Sequence, residues 1–331
     1  MPIDISAIQS GIREKKAKWV SRPIPAFVDL SDDQLRHRLG VILDEQKLSA
    51  LRDATPPPIA QVIAHFETAR ATPLENGAVS REAVSAVEDR IKLGQQISTK
   101  IHGSPALDAT SPVAQSQMHV DWRYRKGRNN VTPVKDQGGC GSCVSFGCTA
   151  TLESMVLVEH NVSLDLSEAE LLFCGGGGCG GWWPSTAVTY IKNHGVALES
   201  CFPYHDHDMP CTTCSERNGE AIQAMQSVVY FASGDRKSYL CLVGPVACVF
   251  EVYQDFFSYS SGVYSHVWGS LAGLHCVEVI GFDDANSFWI CKNSWGTGWG
   301  ENGFFCIAYG QCNIDANYPF WGVYGTRWYG T

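Results

Sequence analysis

All 14 cysteines of this chain fall between Cys140 and Cys312, and nine of its ten tryptophans follow residue 118. Residues 1–118 hold 14 Lys and Arg against 14 Asp and Glu, so they are neutral. The remainder holds 11 against 20 and carries the whole net charge of −9. Stretches so unlike in crosslinking capacity, aromatic content and charge read as two units with different tasks. An acidic second unit argues against a nucleic-acid partner, which needs a cationic face. Hydrophobic content of 44% and charged content of 18% describe a globular chain. It holds no apolar run of the roughly 18 residues a membrane span requires.

The first unit reads as helical. Ser31 and Gln34 form a capping box in front of SDDQLRHRLGVILDEQKL, where Leu35, Leu39, Ile42 and Leu43 recur at helical spacing. Pro56, Pro57 and Pro58 suit the entry to a helix over IAQVIAHFETAR. Ser80 can cap a third helix, with Val84, Val87 and Ile91 on one face. The Pro/Ser/Ala-rich stretch that follows, up to Gln117, reads as an extended linker.

The second unit opens near Val120. From Cys143 the pattern is helical, with Phe146, Leu152, Met155, Val156 and Val158 inward. Beyond residue 225 it changes to short β-type runs separated by turn residues. A helical front (about 119–225) and a strand-rich back (about 226–331) predict an α+β fold.

Four positions carry the chemistry. A thiol becomes nucleophilic where a helix N-terminus or an imidazolium favours its thiolate, and Cys143 stands where a helix should begin. Gln137, six residues earlier, is an uncharged donor that can hold an oxyanion together with the Cys143 backbone N–H. Acyl transfer from a thiol also needs a general base and a group to orient it. His275 lies 132 positions after Cys143, inside the roughly 130–150-residue separation seen in thiol hydrolases of this type. Asn293 follows in Lys-Asn-Ser-Trp-Gly-Thr-Gly-Trp-Gly, where Trp295 can shield it.

These stretches, with Val-Thr-Pro-Val-Lys-Asp-Gln-Gly-Gly-Cys-Gly-Ser-Cys, Leu-Ser-Glu-Ala-Glu-Leu and Pro-Tyr in the same order, resemble the papain-like cysteine proteases from about Val120 to Cys312. Cys-Gly-Ser-Cys-Val-Ser-Phe-Gly is similar to the bacterial branch of that family, and Ala17-Lys18-Trp19 and Arg38-Leu39-Gly40 to its pro-regions. The resemblance implies a two-lobe fold, one helical and one barrel-like, behind a mostly helical pro-region over 1–118. It implies a cysteine endopeptidase, synthesised as a zymogen, that acts on protein or peptide substrates as a monomer without cofactor. Cys143 would be the nucleophile, His275 the acid/base, Asn293 its orienter and Gln137 an oxyanion donor, with Trp295 over the His–Asn bond. A disulfide would join Cys140 to Cys179, and a second Cys174 to Cys211 or Cys214. The pro-region would be an intramolecular inhibitor, with residues 104–117 near Cys143 and activation by cleavage close to Met118.

The sequence departs from the family at Val144, where many members have Trp, and at Cys276, where Gly or Ala is usual. It departs again in Cys179-Gly180-Gly181-Trp182-Trp183-Pro184. There Trp182 takes the place of a glycine whose backbone meets substrate, so the loop is a residue shorter or an indole enters the cleft. Gly181, Trp182, Trp183 and Trp295 are therefore the candidate substrate-binding residues, with an aromatic wall favouring apolar side chains. Two other readings compete. His205, His207, Cys211 and Cys214 lie within ten residues, a spacing that suits zinc. The fold could also serve as a silent binding module, a reading weakened by the presence of both nucleophile and His.

Cysteine usage favours secretion or another oxidising compartment, whereas the first 20 residues lack the apolar core of a secretory signal. If Cys143 is free, at least one further thiol must be unpaired. Cys148, Cys248, Cys276, Cys291 and Cys306 sit in apolar runs and read as core fillers.

Overall fold

The computed structural model describes residues 3–71 and 118–328. The N-terminal part begins with helix α1 (Ile5–Glu14), where the Asp4 carboxylate accepts from Ala7 N, and strand β1 (Lys18–Ser21). The Ser31 capping box forms on both sides, yet the helix it opens, α2 (Asp32–Arg36), stops after five residues. The longer helix that the leucine spacing predicts does not form. Gly40 interrupts it, and the backbone groups around Gly40 bond to Leu274 and Trp182 instead of to a helix. Tertiary contacts here outweigh helical periodicity. Helix α3 (Glu45–Asp53) starts at its own cap, Asp44, and α4 (Ile59–Arg70) follows Pro58 as its sequence predicts. The helix expected after Ser80 and the linker over 104–117 lie outside the described residues.

Strand β2 (His119–Asp121) leads to helix α5 (Cys143–His160), which is buried on nearly every face and ends at Asn161 in the left-handed region. A helix this apolar has to be central. Its two buried carboxylates are satisfied. Glu153 accepts from Thr132, Lys135 and Leu166 N, and Glu159 from Gly325 N and Thr326. Helix α6 (Pro184–His194) has Pro in its first turn, and α7 (Arg217–Glu220) is one turn long. Then come β3 (Ile222–Tyr230), α8 (Ser233–Leu242), β4 (Val246–Tyr253), β5 (Tyr259–Tyr264), β6 (Leu271–Asp283), β7 (Phe288–Lys292), β8 (Phe304–Ala308) and β9 (Phe320–Trp328).

The result is α+β, as the pattern switch predicts. The sheet runs β1-β5-β8-β7-β6-β4-β9-β3, with β2 on β6, and is an open path with β1 and β3 at its ends. All pairs are antiparallel except β5 with β8. Strand β1 of the N-terminal part thus completes one edge of a sheet otherwise built by the second unit. Helix α5 packs its N-terminal turns against β6. A Cβ on Gly147 would lie 2.9 Å from Cys276 Sγ, so only glycine allows this approach.

Cys140 pairs with Cys179 and Cys174 with Cys211. A third bridge, Cys201–Cys214, was not anticipated. The other eight cysteines form no disulfide. Cys148, Cys248, Cys276 and Cys291 are buried as expected, whereas Cys306 is only partly so.

Candidate active site

Cys143 is the first residue of α5, placed by the Gly-rich turn before it and by the Cys140–Cys179 bridge. Gln137 lies beside that turn, and its amide has both ends used. Nε2 donates to Cys140 O at 2.8 Å and to Arg38 O at 3.0 Å, while Oε1 accepts from Ser294 Oγ at 2.7 Å. Tyr204 props the same turn, with its hydroxyl 2.8 Å from Gln137 O and 2.7 Å from Ser142 Oγ. Sequence reasoning missed Ser294 and Tyr204 as supports, although both lie inside motifs it used.

His275 enters from β6. Its Nε2 donates to Asn293 Oδ1 at 2.7 Å, and that oxygen also accepts from Ser294 N at 2.8 Å, which holds the amide in one orientation. Trp295 lies on His275 with ring centroids 4.8 Å apart, and is itself stacked by Phe257 and met edge-on by Phe27. The structure therefore brings Gln137, Cys143, His275, Asn293 and Trp295 into one place. The backbone N–H of Cys276, the residue after His275, points to the Cys143 thiol.

The cleft is filled by a segment whose Arg38-Leu39-Gly40 resembles the pro-regions, but which the sequence did not place beside Cys143. Residues 38–42 run through it outside any helix, with Arg38 in the turn that ends α2 and Val41 in an isolated bridge to Trp182. Gly40 N donates to Cys143 Sγ at 3.2 Å. Trp182 N donates to Gly40 O at 2.9 Å and Ile42 N donates to Trp182 O at 3.1 Å, a parallel bridge centred on Val41. Arg38 offers its carbonyl to Gln137 and its guanidinium to Asp136 at 3.3 Å. The fit rests on glycine. A Cβ on Gly40 would stand 1.6 Å from Gly141 O, and one on Gly181 2.2 Å from Gly40 O.

Of the two alternatives for Trp182, the one that puts its indole into the cleft needs correction. Its backbone faces the cleft, but its indole turns away and lies under the Gly-rich loop, where a Cβ on Gly175 or Gly177 would come within 2.7 and 2.9 Å of the ring. Trp183 packs edge-on against Trp321, and both indoles at 182–183 are buried. Gly181 and Trp182 thus meet the occupying segment through backbone, not through an aromatic wall.

Filling the cleft alters the titration of the pair. Burial pushes the Cys143 thiol up to about 11, against the opposing pull of the Cys276, Gly40 and Val144 amides. Burial also pushes His275 down to about 4, against its bond to Asn293 and the Arg38 carbonyl. In this state both groups are neutral at pH 7, so the thiolate that attack requires is suppressed.

The zinc reading fails on geometry. Cys211 and Cys214 are in disulfides, and the one cluster of ligand-type atoms among the described residues is Cys201, Cys214 and Glu220, which excludes His205 and His207. His205 and His207 stack on each other in the loop whose Asp206 and Asp208 accept from Gly139 N and Cys179 N. No helix among the described residues is long and apolar enough to cross a membrane.

Residues 116–320 match a family profile described as "Papain family cysteine protease". The mouse (Mus musculus) protein "Pro-cathepsin H" is 38% identical over 231 residues, covering 64% of this chain and 67% of its own length. "Thiol protease aleurain" of Arabidopsis thaliana is 36% identical over 70% of this chain and 67% of its own. "Digestive cysteine proteinase 1" of Homarus americanus is 34% identical over 65% and 70%. Among solved structures, procathepsin B from Trypanosoma congolense superposes with a TM-score of 0.70 at 21% identity, covering 98% of this chain and 99% of that one. A Carica candamarcensis cysteine protease bound to E-64 gives 0.55 at 30% identity, covering 62% and 97%. These relatives are a mammal, plants, a crustacean and a protist, so the likeness to the bacterial branch is not supported.

Proposed function

Since this chain belongs to the papain family of cysteine proteases, we propose that it is an endopeptidase zymogen in which Cys143 is the nucleophile and residues 38–42 are the plug. The observation that carries this is the position of Gly40, whose amide is bonded to the Cys143 thiol while the Arg38 carbonyl takes the Gln137 donor.

Once the plug leaves, a substrate carbonyl takes the Arg38 position. Cys143 Sγ attacks its carbon and the thiol proton passes to His275. With Nε2 committed to Asn293, Nδ1 is the nitrogen free to take it. The charge on the carbonyl oxygen is held by Gln137 Nε2 and the Cys143 backbone N–H. His275 then protonates the leaving amine, and a water activated by the same imidazole releases the acid from the thioester. The backbone N–H and C=O of Trp182 supply a docking edge for the substrate chain, as they do for Gly40 and Ile42. Residues 119–331 form the catalytic unit in this proposal and 1–118 the inhibitor and its linker.

The test is reaction of Cys143 with a thiol-directed epoxide, read by mass spectrometry alongside peptide hydrolysis. The processed catalytic unit should label and turn over, and a His275→Ala protein should do neither. Equal rates from the full-length and processed forms would refute the zymogen part. A processed form that neither labels nor turns over would refute the enzyme part.

A further inference from the structure

Residues 201–214 form a loop between α6 and α7. The Cys201–Cys214 bridge closes it across 13 positions, and Cys174–Cys211 ties it to the start of the Gly-rich stretch. Glu199 Oε1 accepts from Tyr204 N at 2.6 Å at its base. Closing so short a loop restricts its conformations before any contact is made.

The tip of the loop, residues 204–208, grips both sides of the Cys140–Cys179 bridge. On the Cys140 side, Asp206 Oδ2 accepts from Gly139 N at 3.1 Å and Tyr204 Oη donates to Gln137 O at 2.8 Å. On the Cys179 side, Asp208 Oδ1 accepts from Cys179 N at 2.7 Å. Two glycines admit these carboxylates. A Cβ on Gly138, whose φ is +60°, would stand 2.4 Å from Asp206 Oδ2, and one on Gly178 would stand 3.1 Å from Asp208 Oδ1. Phe146 of α5 meets the Tyr204 ring edge-on, with centroids 4.9 Å apart.

The two gripped stretches have different tasks. The turn over 137–143 places the Gln137 amide and the Cys143 backbone N–H, which face a developing oxyanion. The other stretch runs from Cys179 through the turn closed by Gly181 N and Gly178 O to Trp182, whose N–H and C=O dock an extended chain.

We propose that Asp206 and Asp208 are positioning residues, Asp206 for the oxyanion turn and Asp208 for the docking edge. One loop thus supports the rate of reaction through one carboxylate and the binding of substrate through the other. The proposal rests on the reading of Cys143 as nucleophile and deepens it. Each carboxylate acts through the backbone it holds and not by contact with the reacting atoms. Both side chains are exposed, so water competes for their bonds and the loss of one has a severalfold effect, not an abolishing one.

The variants are made in the full chain, which is then processed and followed by peptide hydrolysis, epoxide labelling of Cys143 and hydrogen exchange. Asp206→Ala should lower kcat about three- to tenfold with little change in KM. Its labelling should stay near the wild-type rate, because opening an epoxide develops no carbonyl oxyanion for the turn to hold. Asp206→Asn, whose side-chain oxygen can accept the same bond, should recover most of kcat. Asp208→Ala should raise KM about threefold and leave kcat close to wild type. Exchange should quicken over 137–143 in Asp206→Ala and over 178–182 in Asp208→Ala, a readout that needs no turnover. Wild-type kinetics in both alanine variants would overturn the proposal. So would a parallel fall of kcat and labelling in both, which marks a general loosening of the fold. Unchanged exchange would overturn it as well. A processed wild type that neither labels nor hydrolyses would count against the enzyme reading, with the grip of the loop still decided by exchange.

Discussion

Replacing Gly40 by alanine tests the plug directly. The added Cβ would stand 1.6 Å from Gly141 O, 2.2 Å from its carbonyl carbon and 2.7 Å from its Cα, all backbone atoms with no side chain to swing aside. An ordinary carbon–oxygen contact is close to ~3.2 Å, so the segment has to retreat by about 1.5 Å. That is enough to break the bonds from Gly40 N to Cys143 Sγ at 3.2 Å and from Trp182 N to Gly40 O at 2.9 Å, and to weaken that from Ile42 N to Trp182 O at 3.1 Å. At roughly 0.5–1.5 kcal/mol net for each bond, the closed state loses about 1.5–4 kcal/mol. The open population then rises by about tenfold to a thousandfold. The assay is the rate at which a thiol-directed epoxide labels Cys143 in the uncut Gly40→Ala chain, normalised to the processed enzyme. The pairing of β1 with β5 is untouched, so the melting temperature should move little. Labelling at the wild-type rate would refute the reasoning, because the plug would then not be what guards the thiol.

Acid should also open the cleft. His275 is held down to about 4 in the closed state and returns towards its ordinary value near 6.5 when water enters, so the open state binds an extra proton between those limits. Closure is therefore fully favoured above pH 6.5 and loses up to roughly 3 kcal/mol as pH falls to 4. Normalised labelling of the uncut chain should climb across that window, and a flat profile would contradict it. In the processed enzyme, Gln137→Ala should lower kcat by about 10²–10³-fold with little change in KM, as removal of one oxyanion donor does. An effect on KM alone would place Gln137 elsewhere. Lys135 bridges the buried carboxylates of Glu153 and Glu168 and reaches Asp165, so Lys135→Met should cost about 3–5 kcal/mol in thermal or denaturant unfolding. Denatured but unreduced protein should titrate eight thiols, since three disulfides use the other six cysteines.

Much of this site could be read along the chain because its parts are local motifs. Cys143 begins a helix that its own periodicity announces, and His275 lies on β6 with Asn293 just past the end of the adjacent β7, at a spacing typical of the chemistry. The switch from helical to alternating patterns, the Ser31 cap and the entry to α4 at Pro58 likewise depend on near neighbours. The Cys140–Cys179 bridge followed from the resemblance, while the choice of Cys211 over Cys214 for Cys174 depended on how a loop returns in space.

What only the tertiary structure decided is everything that rests on residues far apart in sequence sharing a backbone edge. Leu35, Leu39, Ile42 and Leu43 carry a helical pattern, yet 39–42 is not helical, because Gly40 can approach Gly141 and Trp182 has two backbone groups to offer. Such bonds are independent of side-chain type, so no pattern of side chains encodes them. The same holds for Trp182, whose indole leaves the cleft because Gly175 and Gly177 make room beneath their loop. Residue identities along this chain determined which atoms do the chemistry. The fold determined that, in the uncut chain, those atoms are covered, desolvated and neutral.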